Sequence, residues 1–598
     1  MKVLIFLSVV AMAVIFAPPA SAATSANANS PLGINLNNLS FYDPEQPFLN
    51  IFKTTGINSQ GSPRAWSTRS KMMGETQEEA YLQLDSSGYP TTLRANSSDP
   101  NSSQDFVQVC TLLLRLNPSN AGTGLPYRPG QYVILYDGVG TLSVGFDAKM
   151  VSTSRSASGG RDVFDVANPT RNGVRLCITQ TDPANHVRNI RVVKAEEESL
   201  LDQGNIFAPA FLNLLKNFRV IRAMAWLKID GRPTPPPGNW ASRPQLSDAG
   251  WASWKGAPLE AVISLCNAVS ADCWINVPHT ADDDYITQMA TLVHQQLGST
   301  QKVYVEFSNE VWNTSYLQYH YATEQGAALW PSNPKPFKGN RDWYGMRVAQ
   351  MCDIWAQVWG GDDSRVHCLL AAQGAVTATA IESLNCPLWS GAPCYKHHIT
   401  DVAIAPYFGW PAKQVPRTWM TLDSRTLVDD IFKQFETGGL VTNPFTGFSG
   451  GAVRQQSDEE AEYQKALAPY HLPIIAYEGG QGVQGFPFFR DGSAVENAYI
   501  AANRDSRMTA VYTKALEDWK ANGGQTYVIF NDVQAPSQYG EWGALESFMD
   551  TVSPLSSAPP KWQAIQNFIA NNPCWWPGCS GTVAQVPMSP GGFKAAHP

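Results

Sequence analysis

The chain reads as an α/β protein, a (β/α)8 TIM barrel with a β-sandwich domain inserted after the first barrel strand. Three observations predict this. After Ala195, seven short apolar runs alternate with helical stretches, the pattern of a parallel sheet built from β-α units. An eighth run lies near the start, at residues 34–39. Between it and the others, residues 106–193 hold closely spaced strand-like runs separated by turn signals such as Asp137-Gly138 and Ser158-Gly159-Gly160.

Taken in order, residues 1–22 read as a secretory signal peptide: Lys2, an apolar run over 3–16, then Ala20-Ser21-Ala22 as the cleavage site. That run is shorter than the roughly 20 residues a bilayer-spanning helix needs, and no later segment is long and apolar enough. The expectation is a secreted or periplasmic chain without membrane insertion. Residues 23–72 begin the barrel with its first strand, and 73–197 form the inserted sandwich. Its strands are expected at 107–114, 131–136, 141–146, 173–179 and 187–193, with Cys110 and Cys177 on two of them and able to bridge it. The remainder of the barrel occupies 198–571, with strands at 218–226, 273–277, 302–307, 366–371, 402–406, 474–477 and 526–530. Helices are expected at 259–269 and 282–297, and one long helix at 493–522, from apolar residues recurring at helical spacing. Residues 572–598 hold Cys574 and Cys579 and then a Pro- and Gly-rich tail expected to be disordered. A doubly wound open sheet is the structural alternative, but neither G-x-G-x-x-G nor G-x-x-x-x-G-K-[ST] occurs where such a sheet needs it.

Composition narrows the partners. The 598 residues carry 43 Lys and Arg against 51 Asp and Glu, a net charge of −8, with no long basic run. Phosphate backbones and anionic lipid surfaces demand the opposite balance, so no nucleic acid is expected as a partner. Nineteen Trp and 21 Tyr supply flat amphipathic faces that pack cores and also stack on sugar rings. Ten cysteines, an even number without C-x-x-C spacing, suit an oxidising compartment. Sequential pairing is the expectation, since Cys266/Cys273, Cys386/Cys394 and Cys574/Cys579 are near neighbours, although spacing alone leaves connectivity open.

In a (β/α)8 barrel the active site lies at the C-terminal ends of the strands. Strand four runs into Ser308-Asn309-Glu310-Val311-Trp312-Asn313, and strand seven into Tyr477-Glu478-Gly479-Gly480-Gln481. Each ends in a glutamate, and strands four and seven face each other across the mouth. Two carboxyls on opposite walls are what glycoside hydrolysis needs: one protonates the leaving oxygen, the other attacks or stabilises the anomeric carbon.

Asn309-Glu310 at the end of strand four with Glu478 at the end of strand seven resembles the arrangement of clan A glycoside hydrolases. The resemblance covers roughly residues 33–39 and 204–571. It implies a retaining double displacement with Glu310 as general acid/base, Glu478 as nucleophile and Asn309 on the sugar 2-hydroxyl. With Ala225-Trp226, Pro278-His279 and the Ser308 to Asn313 motif, the sequence also looks like secreted bacterial proteins often labelled cellulose-binding. Arg222, in strand two, resembles the arginine that such enzymes hold beside the nucleophile, where its charge favours an ionised Glu478. Tyr407, after strand six, resembles the tyrosine that orients it. His279 after strand three and Gln373 after strand five lie at the same end, and Trp312 joins the substrate-binding candidates. Strand eight departs from the pattern: a Trp often ends it, whereas Phe530-Asn531-Asp532 stands here, so Trp542 in the next loop is the candidate sugar platform.

Plainer readings stand beside these. Glu306 shares a strand face with Ser308 and Glu310, so a barrel-facing Glu306 needs a partner, and Arg222 as that partner competes with Arg222 beside the nucleophile. His279 is as readily a satisfied structural histidine. Asp282-Asp283-Asp284 starts a helix, where carboxylates meet the amide dipoles, so capping outweighs a metal site. Trp240, Trp251 and Trp254, in the loop over 231–258, either stack on sugars or pack the loop. The expected function is a secreted retaining glycoside hydrolase acting on a β-linked polysaccharide or oligosaccharide, with no metal or organic cofactor. The rival is a non-catalytic polysaccharide-binding protein on the same barrel. A serine esterase is disfavoured because no G-x-S-x-G follows a strand. Oligomeric state stays open.

Overall fold

The computed structural model describes residues 27–579 except 28, 43, 56–65, 71–74, 77–81, 95–105, 116–126, 232–234 and 443–446. The expected signal peptide and terminal tail lie outside the described residues. Eight parallel strands close into a barrel: β1 (Leu32–Asn35), β2 (Val220–Arg222), β3 (Asp272–Val277), β4 (Val303–Phe307), β5 (Val366–Ala371), β6 (Asp401–Ile404), β7 (Ile474–Ala476) and β8 (Tyr527–Ile529). Each pairs with the next in sequence, and β8 returns to β1. With helices packed outside, this is a (β/α)8 TIM barrel.

Alternation along the strands divides two cores. Inward-facing Val220, Trp274, Tyr304, Leu369, Ala403, Ile475 and Val528 fill the barrel as one apolar cluster. Outward-facing Ile34, Ile221, Ile275 and Val305 join the helices, among them Leu259–Val269 and Asp283–Gln296, in the main core. Gly33 lies in register with Val220 and Val528, and a Cβ there would sit 2.8 Å from the Val220 carbonyl oxygen and 3.0 Å from Val528 Cγ2. Asp282 caps the second helix through the Tyr285 N–H at 2.8 Å, with Asp283 and Asp284 in its first turn, so the acidic run serves the helix start.

Most bounds agree with the sequence reading to within two residues, and three elements depart from it further. The first strand is Leu32–Asn35 rather than 34–39, because residues 36–38 leave the sheet and line the cleft. Only Val220–Arg222 of the run 218–226 pairs, the rest turning after Arg222. The long helix is two, Ala494–Arg504 and Arg507–Ala521, interrupted where Asp505 takes extended backbone and its carboxylate accepts from the Arg507 N–H at 2.9 Å.

Between β1 and β2 the chain forms two antiparallel sheets, one from Arg188–Lys194, Gly130–Asp137, Gly159–Val166 and Lys149–Arg155, the other including Phe106–Leu113, Val174–Thr181 and Gly140–Phe146. Tyr132, Phe164 and Ile190 of the first share an apolar cluster with Val109, Leu176 and Ile178 of the second. The sequence reading omits two of these strands: Lys149–Arg155 is almost wholly exposed and carries no buried alternation to betray it, and Gly159–Val166 opens on the Gly159-Gly160 pair taken there as a turn. All ten cysteines pair sequentially: Cys110–Cys177, Cys266–Cys273, Cys352–Cys368, Cys386–Cys394 and Cys574–Cys579. Cys110 and Cys177 are direct register partners, so their bridge joins neighbouring strands of one sheet rather than the two sheets. No helix among the described residues is long and apolar enough to cross a membrane.

Candidate active site

Arg222 ends β2 fully buried, and its guanidinium organises the barrel mouth. Nη1 donates to Glu478 Oε1 at 2.7 Å and to Asn35 Oδ1 at 2.8 Å. Nη2 donates to Asn309 Oδ1 at 2.8 Å and to both oxygens of Glu306, at 3.1 and 2.9 Å, while Nε adds a bond to Glu306 Oε2 at 3.1 Å. Burial opposes its charge, but the Glu306 and Glu478 carboxylates outweigh that and raise its pKa. The two roles that compete on paper are therefore held by one planar fork. Glu306 is completed by the Trp274 indole N–H at 2.8 Å. Burial pushes Glu306 up, and Arg222 and that indole pull against it.

Glu478 follows β7 and is 6% exposed. Its second oxygen accepts from the Tyr407 hydroxyl at 3.0 Å, so both oxygens are fixed by side chains from other strand ends. Glu310 follows β4, reached through left-handed backbone at Ser308 (φ 63°) and at Glu310 itself (φ 45°). The Asn276 amide donates to the Ser308 carbonyl at 2.7 Å and holds that bend. Glu310 accepts from Asn313 Nδ2 at 2.8 Å and from the Tyr477 hydroxyl at 3.2 Å. Burial, then the charge of Glu478, push Glu310 up to about 7, against the pull of those two donors. The guanidinium has no acceptor, so the Asn309 oxygen must face it, and the amide N–H is what Asn309 offers to the cleft.

Glu310, Glu478, Asn309, Tyr407, Trp312 and Trp542 all line one cleft of about 580 Å³. Its walls come from the segments after β1, β2, β4, β6, β7 and β8; those after β3 and β5 contribute no lining residue. Arg222 lies behind Glu478 rather than on the wall. His279, after β3, is not brought to the cleft: it is 7% exposed, its ring packs edge-on against Tyr321 at 5.1 Å, and burial lowers its pKa to about 4. Gln373, after β5, is also off the wall, and its carbonyl accepts from the Tyr463 hydroxyl. Trp240 packs edge-on against Tyr285, and Trp251 packs against Phe48 with Lys53 over its ring; neither they nor Trp254 line the cleft. Trp542 meets Phe530 at 5.3 Å between ring centroids.

Sequence reasoning passed over Tyr477, Asn313, Tyr316, Asp230 and Asn35. Tyr477 immediately precedes Glu478, and period-two alternation puts its ring in the barrel cluster with its hydroxyl at the mouth, a signal present in the strand itself. Asn313 lies three residues after Glu310 inside the quoted motif. Tyr316 and Asp230 sit in loops whose path no local pattern announces.

No protein-family model matches the chain, and no curated protein matches it. Solved structures align with it distantly. An apo β-glucosidase 1317 shares 12% identity over 64% of this chain and 89% of its own, with a TM-score of 0.30. A GH5 cellulase from a Bacteroidetes-affiliated source, linked with a polysaccharide utilization locus, shares 12% over 62% and 88%, at 0.33. A family 5 xyloglucanase from Paenibacillus pabuli shares 12% over 61% and 90%, at 0.32.

Proposed function

We propose that the chain is a secreted retaining glycoside hydrolase that cleaves a β-linked polysaccharide by a two-glutamate double displacement. One observation carries this reading: two carboxyls from opposite strand ends share a cleft in unlike settings. Glu478 is fixed at both oxygens by Arg222 and Tyr407, while Glu310 keeps its proton up to about pH 7. That division between a placed carboxylate and a protonated acid is the one glycoside hydrolysis uses.

In the first step a Glu478 oxygen attacks the anomeric carbon, the bond to the leaving oxygen breaks, and Glu310 gives that oxygen its proton. In the second, Glu310 takes a proton from water as the water oxygen attacks the same carbon, and the ester to Glu478 breaks, returning both residues to their starting states. Asn309 offers its amide to the 2-hydroxyl, and Tyr407 and Arg222 hold the nucleophile. Trp542 and Trp312 supply faces for the sugar. The two sheets between β1 and β2 form, in this reading, a β-sandwich inserted into the barrel, and residues 1–22 direct export and are removed.

The test is incubation of the mature protein with a panel of β-linked polysaccharides, measuring reducing ends released. Glu478→Ala should abolish release while leaving the fold intact, since Arg222 keeps Glu306, Asn35 and Asn309. Retained release in that variant overturns the assignment. Tight retention on polysaccharide with no release by the native chain instead makes this a binding protein.

A further inference from the structure

The segments after β7 and β8 carry exposed rings, two of them in contact, that the mechanism does not use. Phe486, Phe488 and Tyr539 are 45%, 63% and 53% exposed. Isolated exposed rings are ordinary, but grouped ones mark contact surfaces. Phe486 and Tyr539 lie 5.2 Å apart between centroids, with their planes 35° apart. The backbone sets this arrangement: the N–H groups of Gly485 and Phe486 both donate to the Gln538 carbonyl, at 3.0 and 2.7 Å, and the Gln538 N–H donates to the Asp491 carboxylate at 2.7 Å. Phe489, in the same turn, points inward instead and is 9% exposed. The two segments are thus tied together and anchored while their outer rings stay in water.

Their position identifies the occupant. Gln484 and Trp542 both line the cleft, so the cluster begins two residues beyond one wall residue and ends three before another. The rings therefore flank the wall residues Gln484 and Trp542, where a chain too long for the cleft would emerge. A pyranose has one face of axial C–H groups, which buries well against a flat ring, and a Tyr hydroxyl at the edge meets its equatorial hydroxyls.

We infer that Phe486, Phe488 and Tyr539 form an outer shelf that binds sugar units of a β-linked glycan chain beyond those enclosed by the cleft. This deepens the glycosidase reading and rests on it.

Glu478→Ala, which binds without turning over, is the parent for the test, compared with the same chain also carrying Phe486→Ala, Phe488→Ala and Tyr539→Ala. Native gels containing barley β-glucan, xyloglucan, xylan or β-mannan show which polymer retards the parent. Titration calorimetry then uses the matching hexasaccharide and disaccharide. The shelf predicts that the triple substitution weakens hexasaccharide binding at least about tenfold, as expected for losing more than one stacked ring, and leaves the disaccharide within about twofold. A Tyr539→Trp variant, which keeps a ring, should bind like the parent. Unchanged hexasaccharide affinity, or equal loss for both sugars, overturns the shelf alone. A parent retarded by no polymer overturns both the shelf and the glycan reading. Sedimentation showing a dimer that the triple substitution dissolves, with glycan affinity intact, assigns the rings to a second copy and overturns the proposal.

Discussion

In the proposed mechanism Glu310 must hold a proton when the glycosidic bond breaks, and burial together with the Glu478 charge favours that proton up to about pH 7. Turnover should therefore fall as pH rises through about 7, and Glu310→Gln should remove that limb along with most of the rate, by about 10²–10⁴-fold, as a pH–rate profile would show. Arg222 answers to a different balance. Arg222→Met leaves Glu306 buried without its partner, so it should destabilise the fold by about 3–5 kcal/mol in urea unfolding, whereas Glu478→Gln should cost far less. Both glutamates, Arg222 and Tyr407 were legible in the sequence because strand ends in a barrel point at one place. His279 obeyed the same rule and was still not brought to the cleft, since the segment after β3 packs back on Tyr321. Strand position alone does not say which way a loop turns.

At the scale of elements, the eight strands were readable because each is a short, nearly continuous apolar run buried on both faces. Their ends were not. Leu36 continues the apolar run of β1 yet lies outside the sheet, and the segment after Arg222 turns while still apolar. The break at Asp505-Ser506 had a signal, a capping pair in mid-helix, that apolar periodicity masked. Gly33 makes the tight packing of β1 testable. Gly33→Ala puts a methyl against the Val220 carbonyl and Val528, so it should destabilise by about 1–3 kcal/mol through overpacking, measured by chemical denaturation.

Across the whole molecule, buried carboxyls recur outside the cleft. Burial raises Asp342 to about 6 and Glu460 to about 7, and it raises Glu496 and Glu541, which lie within hydrogen-bonding reach of each other. Among the described residues no N–H or hydroxyl donates to the four oxygens of Glu496 and Glu541, and burial favours the protonated form of each. The folded chain keeps protons that the unfolded chain releases above the ordinary carboxyl value of about 4.5, so stability should fall as pH rises from there to about 7. Bases lowered by burial work the other way: His279, lowered to about 4, from there to 6.5, and Lys561 and Lys53, lowered to about 7 and about 8, above those values, with Lys194 and Lys302 lowered in the same sense. The carboxyls raised across the chain outnumber them, so the thermal midpoint should be higher at pH 5 than at pH 8, and Glu541→Gln should flatten the difference. A profile that rises with pH contradicts this. None of these pairings was visible in sequence, because their members come from segments far apart in the chain.

In the proposed mechanism Glu478 attacks the anomeric carbon while Glu310 protonates the leaving group, and the anomer first released from a β-linked oligosaccharide separates this from direct attack by water. Proton NMR in the first minutes of reaction should show the β-anomer, with the α-anomer growing only by mutarotation. An α-anomer formed first would mean direct attack by water and remove Glu478 from the nucleophile's role.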